Sequence, residues 1–254
     1  MSTDDFQRIA SFRASFARRQ AAESHEVPGG VLVLDPAFPV SWDNNQLVIH
    51  EPAEPADLLK FADAGLAALA HRQITVLDDA LGDEVAPALA AAGYEHSTEL
   101  VMTHYGPVSR VPSHALEISL DELLPAVYRL LKAWMPESDE DTVRQFAERR
   151  AARRNGADEV LFLADRGEDG AVAAWADYYR DNEHGIAQME DLSTADDRLR
   201  RGHADAVLTA SLQRAAQSDL FFLLADADDW PHEWYSRRGF TTIGRFHRFS
   251  RTCD

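Results

Sequence analysis

The chain predicts an α/β fold in two domains, and three observations carry that expectation. Short apolar runs alternate with longer segments whose apolar residues recur at helical spacing. A stretch broken by glycine and proline, Gly106-Pro107-Val108-Ser109-Arg110-Val111-Pro112-Ser113, divides the chain. After it the sequence restarts, and the layout of residues 74–104 returns over residues 220–250. The domains expected are 1–109, the smaller, and 113–254. A length of 254 residues with 45% hydrophobic content accommodates one large domain or two small ones.

In the first domain, Phe6, Ile9, Ala10, Phe12, Phe16 and Ala17 space a leading helix over 4–23. Strands follow at 30–34 and 46–50, separated by a loop with Pro36, Pro39 and Asp43-Asn44-Asn45. Leu58, Leu59, Phe61, Ala62, Leu66 and Leu69 form the apolar side of a helix over 55–71. A strand at 74–77, a helix at 83–92 and a Gly93-Tyr94 turn into a strand at 98–104 complete it.

The second domain opens with a strand at 115–119, a helix over 120–134 and a charged helix over 139–155. Strands at 159–164, 171–179 and 185–192 follow; Arg166-Gly167-Glu168-Asp169-Gly170 and Arg180-Asp181-Asn182-Glu183-His184 make hairpins of them. A helix over 202–217, a strand at 220–224, a short helix over 231–238 and a strand at 241–250 end the chain. Pro231, behind Asp228 and Asp229, is a helix-start signal.

The repeated layout is apolar strand, acidic loop, short helix, Gly-aromatic turn, strand. It sets Gly93-Tyr94 opposite Gly239-Phe240 and Leu89 opposite Tyr235. The first half reads as a worn copy of the second, serving as scaffold or as one wall of a substrate cleft.

A formal net charge of −18 argues against general nucleic-acid binding, which needs a basic footprint. The same charge serves solubility and would steer cationic substrates. The single cysteine, Cys253, forms no intrachain disulfide, and Cys-rich zinc sites are excluded. Met1-Ser2-Thr3-Asp4-Asp5 has neither the basic nor the apolar region of a signal peptide, and no apolar run approaches the ~20 residues that span a bilayer. The expectation is a cytoplasmic protein without a membrane partner. The ten histidines show no metal-ligand spacing, so no metal is expected.

Chemistry concentrates near the end. Asp197-Arg198-Leu199-Arg200-Arg201-Gly202-His203-Ala204 opens an apolar helix, where free N–H groups and the positive helix end suit a phosphate. The strand 220–224 follows, and then Trp234-Tyr235-Ser236-Arg237-Arg238-Gly239-Phe240. In this order and spacing the residues resemble the GNAT superfamily of N-acetyltransferases, which move an acetyl group from acetyl-CoA to an amine. The resemblance covers residues 113–254 firmly and the first half faintly. It implies a GNAT-like mixed central sheet flanked by helices, preceded by a smaller degenerate GNAT-like α/β domain.

The family's cradle pattern is Gln/Arg-x-x-Gly-x-Gly/Ala. Gly202 and Ala204 fit it, while Leu199 stands where Gln or Arg is usual. By resemblance, Arg200, Arg201, Gly202, His203 and Ala204 hold the pyrophosphate, and Leu192, Ser193 and Thr194 pair with the pantetheine arm. Asp228 stands where many relatives carry a cofactor-bonding Asn. Tyr235 is the candidate general acid for the departing thiolate. Strand alternation puts Gln188 and Glu190 on one face, Met189 and Asp191 on the other. Glu190 is the candidate general base, with Asp191 second, against the alternative of a salt bridge to a nearby Arg.

The activity implied is direct N-acetyl transfer to an amine of a small molecule or peptide, in a protein that the resemblance allows to be a homodimer. A non-catalytic acyl-CoA-binding or sensing module is the alternative, and a longer acyl chain or an oxygen nucleophile stays open. Phosphate-loop, nucleophile-elbow and His-Glu-x-x-His motifs are absent.

Overall fold

The leading helix carries Asp4 and Asp5 in its first turn and Arg18 and Arg19 in its last, so both ends complement the helix dipole. This helix belongs to a computed structural model that describes residues 3–253. In chain order the elements are α1 (Thr3–Gln20), β1 (Glu23–Val27), β2 (Gly30–Leu34), β3 (Gln46–Ile49), α2 (Pro55–Gly65), β4 (His71–Val76), α3 (Asp79–Ala91) and β5 (Glu95–His104). They continue with β6 (Leu116–Ile118), α4 (Leu120–Trp134), α5 (Glu140–Glu148), α6 (Arg150–Arg153), β7 (Glu159–Arg166), β8 (Val172–Asp181) and β9 (Ile186–Thr194). The last are α7 (His203–Arg214), β10 (Leu220–Asp226), α8 (Pro231–Ser236) and β11 (Phe240–Thr252).

The chain divides into two units, 1–103 with 224–254, and 104–223. The segment 224–254, placed with the second domain by sequence, thus belongs to the first unit.

In the first unit the strands run β1-β2-β3-β4-β11-β5, so the final strand of the chain lies between β4 and β5. β1, β2 and β3 are antiparallel neighbours, β3 and β4 are parallel, and β11 runs antiparallel to β4 from His247↔Val76 to Thr252↔His71. Leu47, Ile49, Leu58, Leu66, Ile74, Val76, Val85, Leu89 and Phe249 form one buried cluster. Here the parallel pair is closed along β3, with Leu47↔Ile74, Val48↔Thr75 and Ile49↔Val76 in register. Gln46 reinforces the closure, its Oε1 accepting from Gln73 Nε2 at 3.1 Å and Thr75 Oγ1 at 2.6 Å.

In the second unit the order is β10-β9-β8-β7-β6. β6 through β9 are antiparallel neighbours and β10 is parallel to β9. One face of the sheet carries α4, whose Leu120, Leu123 and Val127 pack with Phe162 and Trp175. α7 packs over β7, β8 and β9. The 106–113 segment is tied to α7: Ser113 Oγ donates to the Ala206 carbonyl at 2.6 Å, and Gln213 Nε2 to the Ser109 and Val111 carbonyls at 2.9 and 2.7 Å. Ser119 caps α4 in a reciprocal box with Glu122. Ser119→Ala is expected to cost about 1 kcal/mol, read as a lower urea midpoint at unchanged slope.

Several elements differ from the sequence reading. β1, Glu-Ser-His-Glu-Val, is a polar edge strand without an apolar signal. β4 begins at His71, where polar but buried His71, Arg72 and Gln73 continue the strand and shorten α2. α3 starts early because Asp78 caps it, accepting from Leu81 N at 2.8 Å. The charged helix is two, α5 and α6, with Arg149 at the junction.

Candidate functional site

β9 carries the first half of the site. Its pairing with β10 covers Leu220↔Ile186, Phe221↔Ala187 and Phe222↔Gln188, and the two strands part beyond that point. Met189–Thr194 therefore keeps β8 as its neighbour on one side and opens its other edge. An opened edge is what an extended amide-containing arm needs for backbone hydrogen bonds. Leu192, Ser193 and Thr194 lie there, half-buried, with Ser193 Oγ donating to the Asp191 carbonyl at 3.3 Å.

The same stretch contains a bulge. Trp175 faces Ser193 and Asp177 faces Glu190, so one residue of β8 opposes Asp191 and Leu192 together. Asp191 takes φ 55°. The bulge breaks the alternation expected from sequence: Glu190 pairs with Asp177, and Asp191 reaches the same arginines that Asp177 binds.

Those arginines come from α6. Arg150 Nε donates to Asp177 Oδ1 at 3.2 Å and its Nη2 to Asp191 Oδ2 at 2.9 Å. Arg153 Nη1 donates to Asp177 Oδ2 and, at 2.7 Å, to Asp191 Oδ2. Asp177 is fully buried, and both arginine side chains are 7% exposed. Burial alone would raise the Asp191 carboxyl; the fields of Arg153, Arg150 and Arg149 outweigh it and hold the group well below the ordinary carboxylate range. Burial would lower the Arg153 guanidinium, but Asp191, Tyr179, Asp177 and Glu190 hold it well above its ordinary value. Asp191 thus forms salt bridges to Arg150 and Arg153. A carboxylate so engaged is a poor proton acceptor at neutral pH.

The second half is the start of α7. Gly202, its N-cap, has φ 86°, no side-chain cap, and nothing within 4 Å of where a Cβ would stand. Glycine is required there by the backbone conformation, and the space in front of it is open. Arg200, at φ 61°, and Arg201 are exposed and, among the described residues, unpaired. Arg198 is committed, donating to Asp169 at 2.7 Å and Asp197 at 3.0 Å. His203 opens α7 with Nδ1 2.5 Å from Asp165 Oδ2, and Ala204 follows, half-buried. Two unpaired cations beside a helix start with free N–H groups can hold a pyrophosphate.

The corresponding helix of the first unit lacks all of this. α2 begins with Glu54 as N-cap and Pro55 in its first turn, which replaces cations by a carboxylate and removes a donor.

Tyr235 and Asp228 lie in the first unit. Tyr235 is 8% exposed on α8, edge-on to Trp234 and Phe240. Asp228 is exposed, its N–H donating to Asp226 Oδ1 at 2.8 Å. The turn glycines of the repeat share one conformation, Gly93 at φ 84° and Gly239 at φ 89°. Leu89 is buried in the core.

Sequence reasoning missed Arg150, Arg153, Asp177 and Asp165, whose roles depend on pairings between distant strands and helices. It also missed a cluster in the first unit, where ligand atoms of Asp79, Asp83 and His247 lie within 4.8 Å of one another. Arg245 Nη2 already bridges both carboxylates, at 2.7 and 2.8 Å.

An antiparallel run ending in a parallel, parting strand pair, with a glycine-started helix between its strands, defines the GNAT type of α/β fold. Residues 124–240 match the model of the acetyltransferase (GNAT) family, and the chain carries a GNAT acetyltransferase domain there. Solved structures share the fold over nearly the whole chain. A functionally unknown conserved protein from Staphylococcus epidermidis superposes with TM-score 0.69 at 13% identity, covering 91% of this chain and 93% of its own. A GCN5-related N-acetyltransferase from Kribbella flavida gives 0.66 at 17%, covering 98% and 96%. A tandem GNAT protein from the clavulanic acid biosynthesis pathway gives 0.54 at 12%, covering 99% and 95%, in keeping with a degenerate copy in the first half. No curated protein matches the chain in sequence. Among the described residues no helix is long and apolar enough to cross a membrane.

Proposed function

We propose that this protein is an N-acetyltransferase that moves an acetyl group from acetyl-CoA directly to an amine. The observation that carries the proposal is the parted β9–β10 pair leading to an α7 start with a left-handed glycine and two unpaired arginines. The closed pair of the first unit, with Glu54 and Pro55 at its helix start, lacks each of these features.

Gly202, His203 and Ala204 would present their backbone N–H groups to the pyrophosphate, with Arg200 and Arg201 neutralising its charge. Leu192, Ser193 and Thr194 would pair with the pantetheine amides. The extra residue of the bulge disrupts the ladder locally, and a backbone N–H at Asp191 or Leu192 would steady the thioester carbonyl oxygen. Glu190 would accept the proton of the attacking amine, directly or through a water, while Asp191 fixes the bulge. Tyr235 would give a proton to the departing thiolate. Its assignment is supported by its spacing from Gly239-Phe240 and by Leu89 in the copy that lacks a cradle. Asp228 would accept from the cofactor.

Calorimetric titration of acetyl-CoA tests the reading, wild type beside Arg201→Glu. Wild-type binding is expected, weakened at least tenfold by the charge reversal and further by added salt. No wild-type binding at millimolar acetyl-CoA would leave the fold without the activity. Binding without turnover on any amine, with Tyr235→Phe silent, would favour the acyl-CoA sensor.

A further inference from the structure

Asp165 is the last but one residue of β7, its side chain is 3% exposed, and its partners are two imidazoles: His203 Nδ1 at 2.5 Å and His114 Nε2 at 3.3 Å, both on Oδ2. Among the described residues no guanidinium or ammonium group pairs with it. A buried carboxylate without such a partner needs a strong donor. His114 is 75% exposed and peripheral, whereas His203 is 15% exposed and is the first residue of α7. Asp165 also lies in one row with Ala174 and Thr194 across β7, β8 and β9, which sets it at the sheet end where β9 leads toward the cradle.

An ionised carboxylate only accepts, so Nδ1 of His203 must carry a proton. The other ring nitrogen, Nε2, has no partner among the described residues. A second proton there would make the ring a cation at the positive end of a helix, which is unfavourable on its own. Asp165 offsets that charge from the far side of the ring, and an anion in front of the helix would reverse the sign of the remaining term.

We infer that Asp165 is a positioning residue that makes His203 a cationic ligand for the pyrophosphate, loaded with its second proton when the anion binds. The inference rests on the cofactor reading of the cradle. Charged and titratable groups around His203 are Asp165 from β7, His114 before β6, Arg200 and Arg201 in the preceding turn, and Asp205 in the first turn of α7. His203 and His114 both reach the buried carboxylate, and of the two it is His203, 15% exposed and first in α7, that stands at the cradle.

The test is titration of the full chain with acetyl-CoA at pH 7.5 in two buffers of different ionisation enthalpy, which reads both Kd and proton uptake. Asp165→Asn keeps an acceptor for Nδ1–H and removes the charge; His203→Gln keeps a donor and removes the second proton. Expected are proton uptake in the wild type, its loss in both variants, and a Kd about five- to tenfold higher in each. The double variant should bind no worse than His203→Gln alone, and His114→Asn should bind as wild type. If the wild type binds and Asp165→Asn matches it in Kd and proton uptake, the inference is overturned and the cofactor reading stands. If Asp165→Asn does not fold, His203→Gln decides alone, unchanged affinity and uptake overturning the inference. Absence of wild-type binding would remove the cofactor reading and this inference together.

Discussion

Arg153→Ala is expected to lower the unfolding free energy by about 3–5 kcal/mol, because it leaves a buried carboxylate short of a partner. Two carboxylates and two guanidiniums balance in the Asp177–Arg150–Arg153–Asp191 group. Removing one guanidinium leaves Arg150 to serve both acids, one of them fully buried. The comparison is Arg144→Ala, whose partners Asp141 and Glu148 are solvent-exposed and whose loss should cost less than about 1 kcal/mol. Equal costs for the two, read from urea unfolding, would show that the buried group is not what holds the bulge. The same group sets acid stability. The Asp191 carboxyl lies below its ordinary value of 3.8 in the folded chain, so its contribution is complete above that value and is lost as pH falls beneath it. Asp191→Asn should therefore flatten the acid limb of the stability curve.

Tyr235→Phe is expected to reduce kcat by about 10²-fold or more, within the range for loss of a general acid, and to leave the Kd for acetyl-CoA unchanged. Thiol release over a panel of primary amines gives the rate, and calorimetry the affinity. Loss of binding together with rate would make Tyr235 a packing residue, in line with its edge-on contacts to Trp234 and Phe240. Unchanged rate in an active enzyme would pass the acid role to another group or to water.

Elements whose apolar residues recur at a clear period were legible in the sequence: α1, α4, α7 and the strands of the second unit. So were the glycines at forced backbone positions, since Gly93, Gly202 and Gly239 all take positive φ. Polar elements were not legible. β1 has no buried face, and the start of β4 is polar yet buried through partners far along the chain, as Arg72 shows by donating to the carbonyls of Leu66 and Leu69. The site divides the same way. Its backbone part was legible locally: Gly202 as a glycine at a helix start, and the β9 end through the family resemblance. The charge part depends on α6 meeting β8 and β9 and on His203 meeting Asp165, pairings separated by dozens of residues. Alternation along β9 failed at Asp191 because a bulge is a property of two strands, and one strand's sequence does not announce it.

The position of β11 between β4 and β5 has a consequence for biosynthesis. The residues 104–223 form a contiguous unit that can close while the chain is still being made, but the first unit must wait for its last strand. At ~5–20 residues per second, that wait is on the order of ten seconds or more. Throughout it β4 presents the edge that β11 will later cover, and an uncovered edge invites pairing with another nascent chain. The His71-Arg72-Gln73 start of β4 places charge and polarity on that edge. The polar residues that hid this strand from the sequence reading would then protect it from aggregation on the ribosome.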